Sequence, residues 1–322
     1  MEHFIFALNA TVPLFLIMLL GWFLRNVGLL NDAFNKCTND YVFQCALPVS
    51  LFQSIAGMDF YSDFDLGFCL FCFVSTSVMF LGIWLITWII MKDKSQIGAF
   101  TQAACRSSAA ILGIALVVNI YGNAGMVPMM IMAAVPFFNV YAVLILSFSP
   151  RLDKEGHLIT TGGDSHAVKK ACINVVKNPL IIGILLGIPF ALLRWKVPVM
   201  MDNVLSAIGG TASPMALLVI GASFSGEEAI KRWKSALAAT IIKLFLLPAI
   251  FLPLAVCFGF RESALIAILI MTGSPTTVSS FVMAKKMGGD SVLTSNSVLI
   301  STIFSSVSIT TWLYVLRLFG LI

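Results

Sequence analysis

The stretch PLFLIMLLG at residues 13–21 reappears as PLIIGILLG at residues 179–187, a displacement of 166 positions (179 − 13). The same displacement relates further proline, glycine, alanine, leucine and serine residues across four successive hydrophobic stretches. The matched residues are Pro13, Leu19, Leu20, Gly21, Ala46, Pro48, Leu51, Ser108 and Gly122 with Pro179, Leu185, Leu186, Gly187, Ala212, Pro214, Leu217, Ser274 and Gly288. Chance matches would not keep one register over such a length, so we predict an internal repeat.

The composition places this repeat in a membrane. Hydrophobic residues make up 59% of the 322 positions and charged residues only 11%, too few to cover a water-soluble globule. A helix needs about 20 apolar residues to cross the hydrocarbon layer, and the sequence holds ten such segments. The predicted spans are Phe4–Leu24, Phe34–Ile55, Leu66–Met91, Ile97–Tyr121, Gly125–Phe148, Cys172–Leu193, Val199–Phe224, Trp233–Phe258, Ser263–Met283 and Ser291–Leu318.

Five predicted spans fall in each half of the chain. Because five is an odd number, the second half must enter the membrane from the opposite side, which makes the repeat inverted. We therefore predict an all-α membrane protein with a first five-helix repeat at 1–148, a cytoplasmic linker at 149–168 and a second, inverted repeat at 169–322. The first span is expected to be retained, because it begins with Glu2 and no small-residue cleavage site follows it. Duplicated membrane units of this kind are typical of secondary transporters.

The basic residues predict the orientation of the chain. Lysine and arginine concentrate in alternate connections, which marks those connections as cytoplasmic and places both termini in the periplasm or outside the cell. These cations are Arg25, Lys36, Lys92, Lys94, those between Arg151 and Lys177, those from Lys231 to Lys234, Lys285 and Lys286. Orientation accounts for the net charge of +5, so no nucleic-acid partner is expected. The brief linker favours a bacterial protein of the inner membrane.

Polar interruptions inside spans four and nine predict a binding site. A helix in lipid must satisfy its own backbone, so a break at mid-depth is tolerated only where protein or a watered cavity surrounds it. The interruption in span nine is Gly273-Ser274-Pro275-Thr276-Thr277-Val278-Ser279-Ser280, and its repeat partner in span four is Arg106-Ser107-Ser108-Ala109-Ala110-Ile111-Leu112-Gly113. Both lie about 15 Å into their spans at the helical rise, so they should meet near the bilayer centre.

Two broken helices that face each other expose unpaired amides and positive dipole ends, which suit a carboxylate or similar anion. The predicted substrate-binding residues are Arg106, Ser107, Ser108, Gly113, Gly273, Ser274, Pro275, Thr276 and Thr277. In the alternative interpretation, the hydroxyl groups return hydrogen bonds to their own helices and Pro275 makes a passive kink. The match across the repeat favours a site.

Two cations are predicted to lie deep in the membrane, Arg106 in span four and Lys243 in span eight. A cation at mid-depth costs about 2.5–3.5 kcal/mol on insertion scales and needs water, a partner or a ligand. Arg106 could contact substrate or tether backbone carbonyls, and Lys243 could pair with an acid, contact substrate or change protonation during transport. Asp40 and Asp290 are the candidate acids, and neither is placed at the midplane. Proton coupling through a central carboxylate is therefore not indicated. Asp40 and Lys243 are kept as candidate coupling or charge partners.

Other chemistry is not indicated. Cys69 and Cys72 form a CxxC, but no second CxxC and no histidine falls inside a predicted span, so the seven cysteines are interpreted as small apolar filler. The histidines of the linker are expected to face solvent. No metal or cofactor is expected, and without HExxH, GxSxG or a Walker-type phosphate loop we do not predict an enzyme.

Several ordered segments together carry a resemblance to a known family. They are Leu19-Leu20-Gly21 with Arg25, Ala46 with Pro48 and Leu51, Lys177 to Gly187, Ser213 to Gly221, Lys243 before Pro248, Ser274-Pro275, and Met287 to Asp290. In their order and spacing they resemble the auxin efflux carrier family, which includes bacterial malate-permease-like proteins, over nearly the whole chain. The resemblance implies crossed, broken helices 4 and 9, elevator-like transport of small organic anions, and a homodimer. Family members often have a proline where this chain has Ala115, which leaves the substrate open.

Three other functions stay open from the residues alone. The chain could be a sodium- or proton-coupled carrier of another solute class, which the counter-ion dependence of flux would reveal. It could also be a passive channel or a membrane receptor.

Overall fold

The structure is a computed structural model that describes residues 13, 16–57, 65–109, 116–117, 120–121, 125–152, 158–159, 173, 177–223 and 226–322. The described residues are almost entirely helical. The helices are α1 (Leu16–Asn26), α2 (Asp32–Tyr41), α3 (Leu47–Ala56), α4 (Leu66–Ile90), α5 (Ile97–Cys105), α6 (Val127–Phe148), α7 (Pro179–Leu192), α8 (Val199–Gly210), α9 (Ala212–Ala222), α10 (Gly226–Ile241), α11 (Leu247–Cys257), α12 (Glu262–Gly273), α13 (Ser279–Met287) and α14 (Ser291–Leu318). Within the linker, β1 (Arg151–Leu152) pairs antiparallel with β2 (Leu158–Ile159).

Five helical stretches in the described part of the chain are long and apolar enough to cross a membrane. They are Leu66–Ile90, Val127–Phe148, Val199–Ala222, Arg232–Cys257 and Ser291–Leu318. Shorter apolar helices are α1, α7 and α12. The all-helical membrane class is therefore as predicted. The arrangement into two inverted five-helix repeats stays a prediction.

Predicted spans two and seven leave regular α-helical geometry at positions separated by the repeat distance. A π-helical turn at Val42–Ala46 joins α2 to α3, and Thr211 separates α8 from α9. Position 45 within the π-turn and position 211 differ by the repeat distance (45 + 166 = 211). A proline follows each irregular turn, Pro48 in α3 and Pro214 in α9, and the missing N–H of a proline interrupts helical hydrogen bonding.

Span eight carries a second π-turn, at Ile242–Leu246, between α10 and α11. Pro248 has no N–H to offer the carbonyl four residues before it, which belongs to Leu244. That carbonyl instead accepts hydrogen bonds from Ser308 Oγ at 2.7 Å and Trp312 Nε1 at 3.0 Å, both on α14. The irregular turn is therefore anchored from a neighbouring helix.

Two close helix contacts are related by the repeat distance. A Cβ atom on Gly21 of α1 would collide with the carbonyl of Leu218 in α9, and one on Gly187 of α7 would lie 2.9 Å from the carbonyl of Phe52 in α3. The glycines differ by 166 positions (21 + 166 = 187), and so do their partners (52 + 166 = 218). The same pair of positions thus packs twice, each time between opposite halves of the chain, and only glycine fits there.

The buried apolar side chains form two clusters that cut across the two halves. Cluster one joins α4, α5, most of α6, α10 to α12 and α14, with Phe68, Phe80 and Phe138 among its largest members. Cluster two joins α1, the π-turn at Val42–Ala46, α3, α7 and α9 with α13, the end of α6 and Val298 of α14. Because α12 belongs to the first cluster and α13 to the second, the interruption between these two helices lies at the boundary of the clusters.

Candidate functional site

The interruptions predicted in spans four and nine are present. Helix α5 ends at Cys105, and Arg106 after it is extended (φ −73°, ψ 136°). Helix α12 ends at Gly273, and Ser274 is likewise extended (φ −78°, ψ 161°). The predicted site residue Gly113 lies outside the described residues. The described segments therefore leave helical geometry at nearly equivalent positions of the repeat.

The two extended segments contact each other through their backbones. Pro275 disfavours helical geometry for the residue before it, which explains the conformation of Ser274. The backbone N–H of Ser108 donates to the carbonyl of Pro275 at 3.0 Å. The interruption in span four has no proline of its own, and its extended backbone is held by this hydrogen bond to span nine.

Side-chain hydroxyl groups hold the helix ends together. Thr276 Oγ1 donates to the carbonyl of Ala103 at 2.7 Å, and Ser107 Oγ donates to the carbonyl of Met271. These carbonyls belong to the last turns of α5 and α12, where helical partners are lacking. Thr277 Oγ1 lies 3.3 Å from Ser279 Oγ at the start of α13.

Arg106 is buried at this junction, with 3% of its surface exposed. Its Nη2 donates to Asn139 Oδ1 at 2.7 Å and to Ser279 Oγ at 2.8 Å. Its Nη1 donates to Gln102 Oε1 at 3.4 Å and contacts Met283 Sδ. All these partners are neutral, and over the described residues no carboxylate forms an ion pair with Arg106.

Lys243 is fully buried next to the extended segment that begins at Arg106. Its Nζ donates to the carbonyls of Cys105 at 3.0 Å and Met271 at 3.3 Å, and to Ser107 Oγ. The π-turn at Ile242–Leu246 carries this side chain. In the described ranges no carboxylate pairs with Lys243 either.

Four buried side-chain groups around the junction have hydrogen-bond donors that are not used. Gln102 Nε2, Arg106 Nε, Ser274 Oγ and Ser280 Oγ are buried without a hydrogen-bond partner. Each can donate a hydrogen bond. Two buried cations and four unpaired donors make the junction electropositive and suited to an acceptor-rich, negatively charged group.

The candidate acids lie away from this junction. Asp40 pairs with Lys286 of α13 at 2.6 Å and is partly exposed. It lines a cavity of about 780 Å³ together with Arg25, Lys36 and Lys285. Asp290 pairs instead with Arg232 at 2.8 Å. Among the described residues, Lys243 and Asp40 are therefore not brought together.

Sequence reasoning missed some residues that contact the predicted cations. Asn139 was not among the predicted site residues, and Ser279 lay in the interruption without being assigned to the site. For the carbonyls that Lys243 contacts, the repeat in the sequence does offer a signal. Cys105 and Met271 are equivalent positions of the repeat (105 + 166 = 271).

Comparisons with known proteins identify the family. A family model described as a membrane transport protein matches residues 6–313. An uncharacterized transporter of Methanothermobacter thermautotrophicus is 22% identical over 312 residues, which cover 96% of this chain and 98% of that protein. The uncharacterized transporter YfdV of Escherichia coli strain K12 is 22% identical over 332 aligned residues, which cover 97% of this chain and 98% of that protein.

A mammalian protein is also similar over part of its length. The lysosomal cholesterol signaling protein of Mus musculus is 23% identical over 261 residues, which cover 76% of this chain but 29% of the mouse protein. The family model spans nearly the whole chain, and the two full-length relatives are named as transporters. The chain therefore belongs to the membrane transport protein family, as its resemblance to auxin efflux carriers predicted, and is a multi-pass membrane transporter and not an enzyme.

Proposed function

We propose that this transporter is a secondary active carrier of small organic anions such as carboxylates. The observation that carries the proposal is the burial of Arg106 at the junction, where every described partner of its side chain is neutral. A buried cation without a counter-charge is costly. A carboxylate bound at the junction would supply the missing negative charge.

The residues proposed to bind the anion are those of the two interruptions. They are Arg106, Ser107, Ser108, Gly113, Gly273, Ser274, Pro275, Thr276 and Thr277. Arg106 Nε and Ser274 Oγ are the donors best placed in this set, because both are buried and unpaired. The N-terminus of α13 follows directly, and the positive end of its helix dipole adds to the attraction for an anion.

We further propose that the ten spans form two inverted repeats, residues 1–148 and 169–322, joined by the linker at 149–168. The paired glycine contacts and the paired irregular turns at the repeat distance support this arrangement. The distribution of lysine and arginine supports periplasmic termini in a bacterial inner membrane. A homodimer is proposed from the family resemblance alone.

The proposed mechanism is an elevator-like displacement of one cluster of helices against the other. Cluster one together with α13, so that both broken helices move as one unit, would carry the anion past α1, α3, α7 and α9 of cluster two. The interruptions lie where the two clusters meet, so a solute bound there would change its exposure when the clusters slide. Asp40 and Lys286 would serve as charge partners at the cytoplasmic entrance, on the cavity that they line.

Reconstitution of the purified chain into liposomes tests the proposal. Labelled malate, pyruvate and an indole acid are offered in parallel with a neutral sugar and an organic cation. We expect saturable uptake of at least one of the anions and exchange against unlabelled anion on the other side. Uptake that never saturates would favour the passive channel, and uptake of only the sugar or the cation would overturn the anion assignment.

A further inference from the structure

Lys243 contacts a pair of carbonyl groups that the repeat makes equivalent. Cys105 O belongs to the last residue of α5, and Met271 O lies two residues before the end of α12. Both lack a helical N–H partner, because the backbone leaves the helix after them. One ammonium group donates to both carbonyls and to Ser107 Oγ between them.

We propose that the ammonium of Lys243 takes the place of a bound metal cation at the junction, so that the carrier works without a sodium or other metal ion. Two carbonyls at interrupted helix ends together with a hydroxyl group form the kind of oxygen shell that holds a coupling cation in carriers built on broken helices. Here a covalently attached cation fills that shell. Of the two tests described below, thermal unfolding does not depend on the proposed transport function, and only the flux measurement rests on it.

The charge balance at the helix ends supports one monovalent cation. Each helix C-terminus carries the equivalent of about −0.5 elementary charge, so the ends of α5 and α12 together present about −1. The single positive charge of Lys243 balances that sum. Arg106, which contacts Asn139 and Ser279 instead, is left for the anion.

Only the second half of the chain has a lysine at this position of the repeat. The repeat counterpart of Lys243 is Ser77 (77 + 166 = 243), whose Oγ donates to the carbonyl of Phe73 in its own helix at 2.8 Å. The π-turn that carries Lys243 is fixed to α14 by Ser308 and Trp312. A cation tethered in this way stays bound through every transport cycle, whereas a metal ion can leave.

Thermal unfolding of the purified full-length chain tests this assignment without any knowledge of the carried solute. For the wild type we expect the same melting temperature in sodium, potassium, lithium and choline chloride at equal ionic strength. Lys243→Ala should melt at a lower temperature, and n-propylammonium, which restores the deleted three carbons and the charge, should raise it again. The neutral n-propanol should not. Lys234→Ala is the matched control, because Lys234 is exposed in the same span.

Three results would overturn the assignment. They are a wild-type melting temperature that rises with sodium but not with choline, a Lys243→Ala variant as stable as the wild type, and equal rescue by n-propanol and n-propylammonium. If Lys243→Ala is not recovered folded, Lys243→Arg and Lys243→Met decide between charge and packing. A folded arginine variant with an unfolded methionine variant supports the assignment, and equal behaviour of the two variants contradicts it.

Flux gives an independent measurement. The wild type should carry labelled malate as fast in sodium-free choline medium as in sodium medium. The rate of Lys243→Ala should be lower than that of the wild type by about tenfold or more, because charge-assisted hydrogen bonds are lost. A sodium requirement of the wild type would contradict the inference. Absence of any anion flux in the wild type would count against the proposed function and would leave the melting results unaffected.

Discussion

The two halves of the chain pack alike where their backbones touch and differ where charge is buried. The glycine contact of α1 with α9 is repeated by the contact of α7 with α3. Arg106 and Lys243, in contrast, have Thr272 and Ser77 as repeat counterparts (106 + 166 = 272 and 77 + 166 = 243), and these hydroxyls bond to carbonyls of their own helices. The repeated positions therefore build the frame, and these two departures from the repeat lie at the proposed site.

The largest expected effect concerns the equivalent glycine contacts. Gly21→Ala and Gly187→Ala should each lower the free energy of unfolding by about 1–3 kcal/mol, because the new Cβ atom would meet a backbone carbonyl that cannot rotate away. Thermal unfolding in detergent measures this. Gly210→Ala is the control, since a Cβ atom there has no neighbour within 4 Å. A large loss from only one of the two variants would show that the contacts are not equivalent.

Removal of a neutral partner of Arg106 should affect substrate binding. Asn139→Leu deletes the oxygen that accepts from Arg106 Nη2 at 2.7 Å. We expect the apparent KM for the transported anion to rise about tenfold, since the guanidinium loses an acceptor and its position. Saturation curves in liposomes measure this change. Asn203→Leu, at an exposed position of α8, should keep the wild-type KM. An unchanged KM for Asn139→Leu would remove Asn139 from the site.

A smaller effect is expected at the anchor of the π-turn in span eight. Ser308→Ala removes one of the two donors to the carbonyl of Leu244, and stability should fall by about 1 kcal/mol. The stability of Ser306→Ala should stay within about 0.5 kcal/mol of the wild type, because the Ser306 hydroxyl donates only to the carbonyl of Ile303 in its own helix. Thermal unfolding compares the two variants. Equal stability would mean that the carbonyl of Leu244 does not need both donors.

The smallest effect concerns Arg232, which bridges Asp290 at 2.8 Å and Asp93 at 3.1 Å on the polar side of the fold. These groups are partly exposed, so Arg232→Gln should cost less than about 1 kcal/mol at neutral pH. Burial pushes the pKa of Asp93 upward, but hydrogen bonds from Ser95 and Gln96 and the charge of Arg232 together hold it below its usual value.

The lowered pKa gives this small effect a pH dependence. A carboxylate whose pKa is lower in the folded state adds stability above its unfolded pKa and loses that contribution as the pH falls through the folded pKa. The difference between the wild type and Arg232→Gln should therefore shrink below about pH 4. Unfolding measured across acidic buffers checks this, and a difference that grows on acidification would contradict it.

The sequence predicted the features that follow strong local rules. Gly273 and Pro275 marked the interruption in span nine, and the burial of Arg106 and Lys243 followed from their place within apolar spans. The partners of these cations could not be predicted, because Asn139 lies 33 positions from Arg106 along the chain and the contact arises only in the folded protein. The π-turn at Ile242–Leu246 was also missed, since a local change of helical register leaves the hydropathy pattern unaltered.

The decisive comparison is between Arg106 and its repeat counterpart Thr272, measured as initial uptake of the anion that the wild type carries fastest into liposomes. Arg106→Gln should reduce the rate by about 10- to 100-fold, because the anion loses its counter-charge. Thr272→Val should stay near the wild-type rate, since its hydroxyl bonds only to Ile268 and Leu269 of its own helix. Wild-type uptake by folded Arg106→Gln, or an equal loss in both variants, would contradict an anion site built on the asymmetry of the repeat.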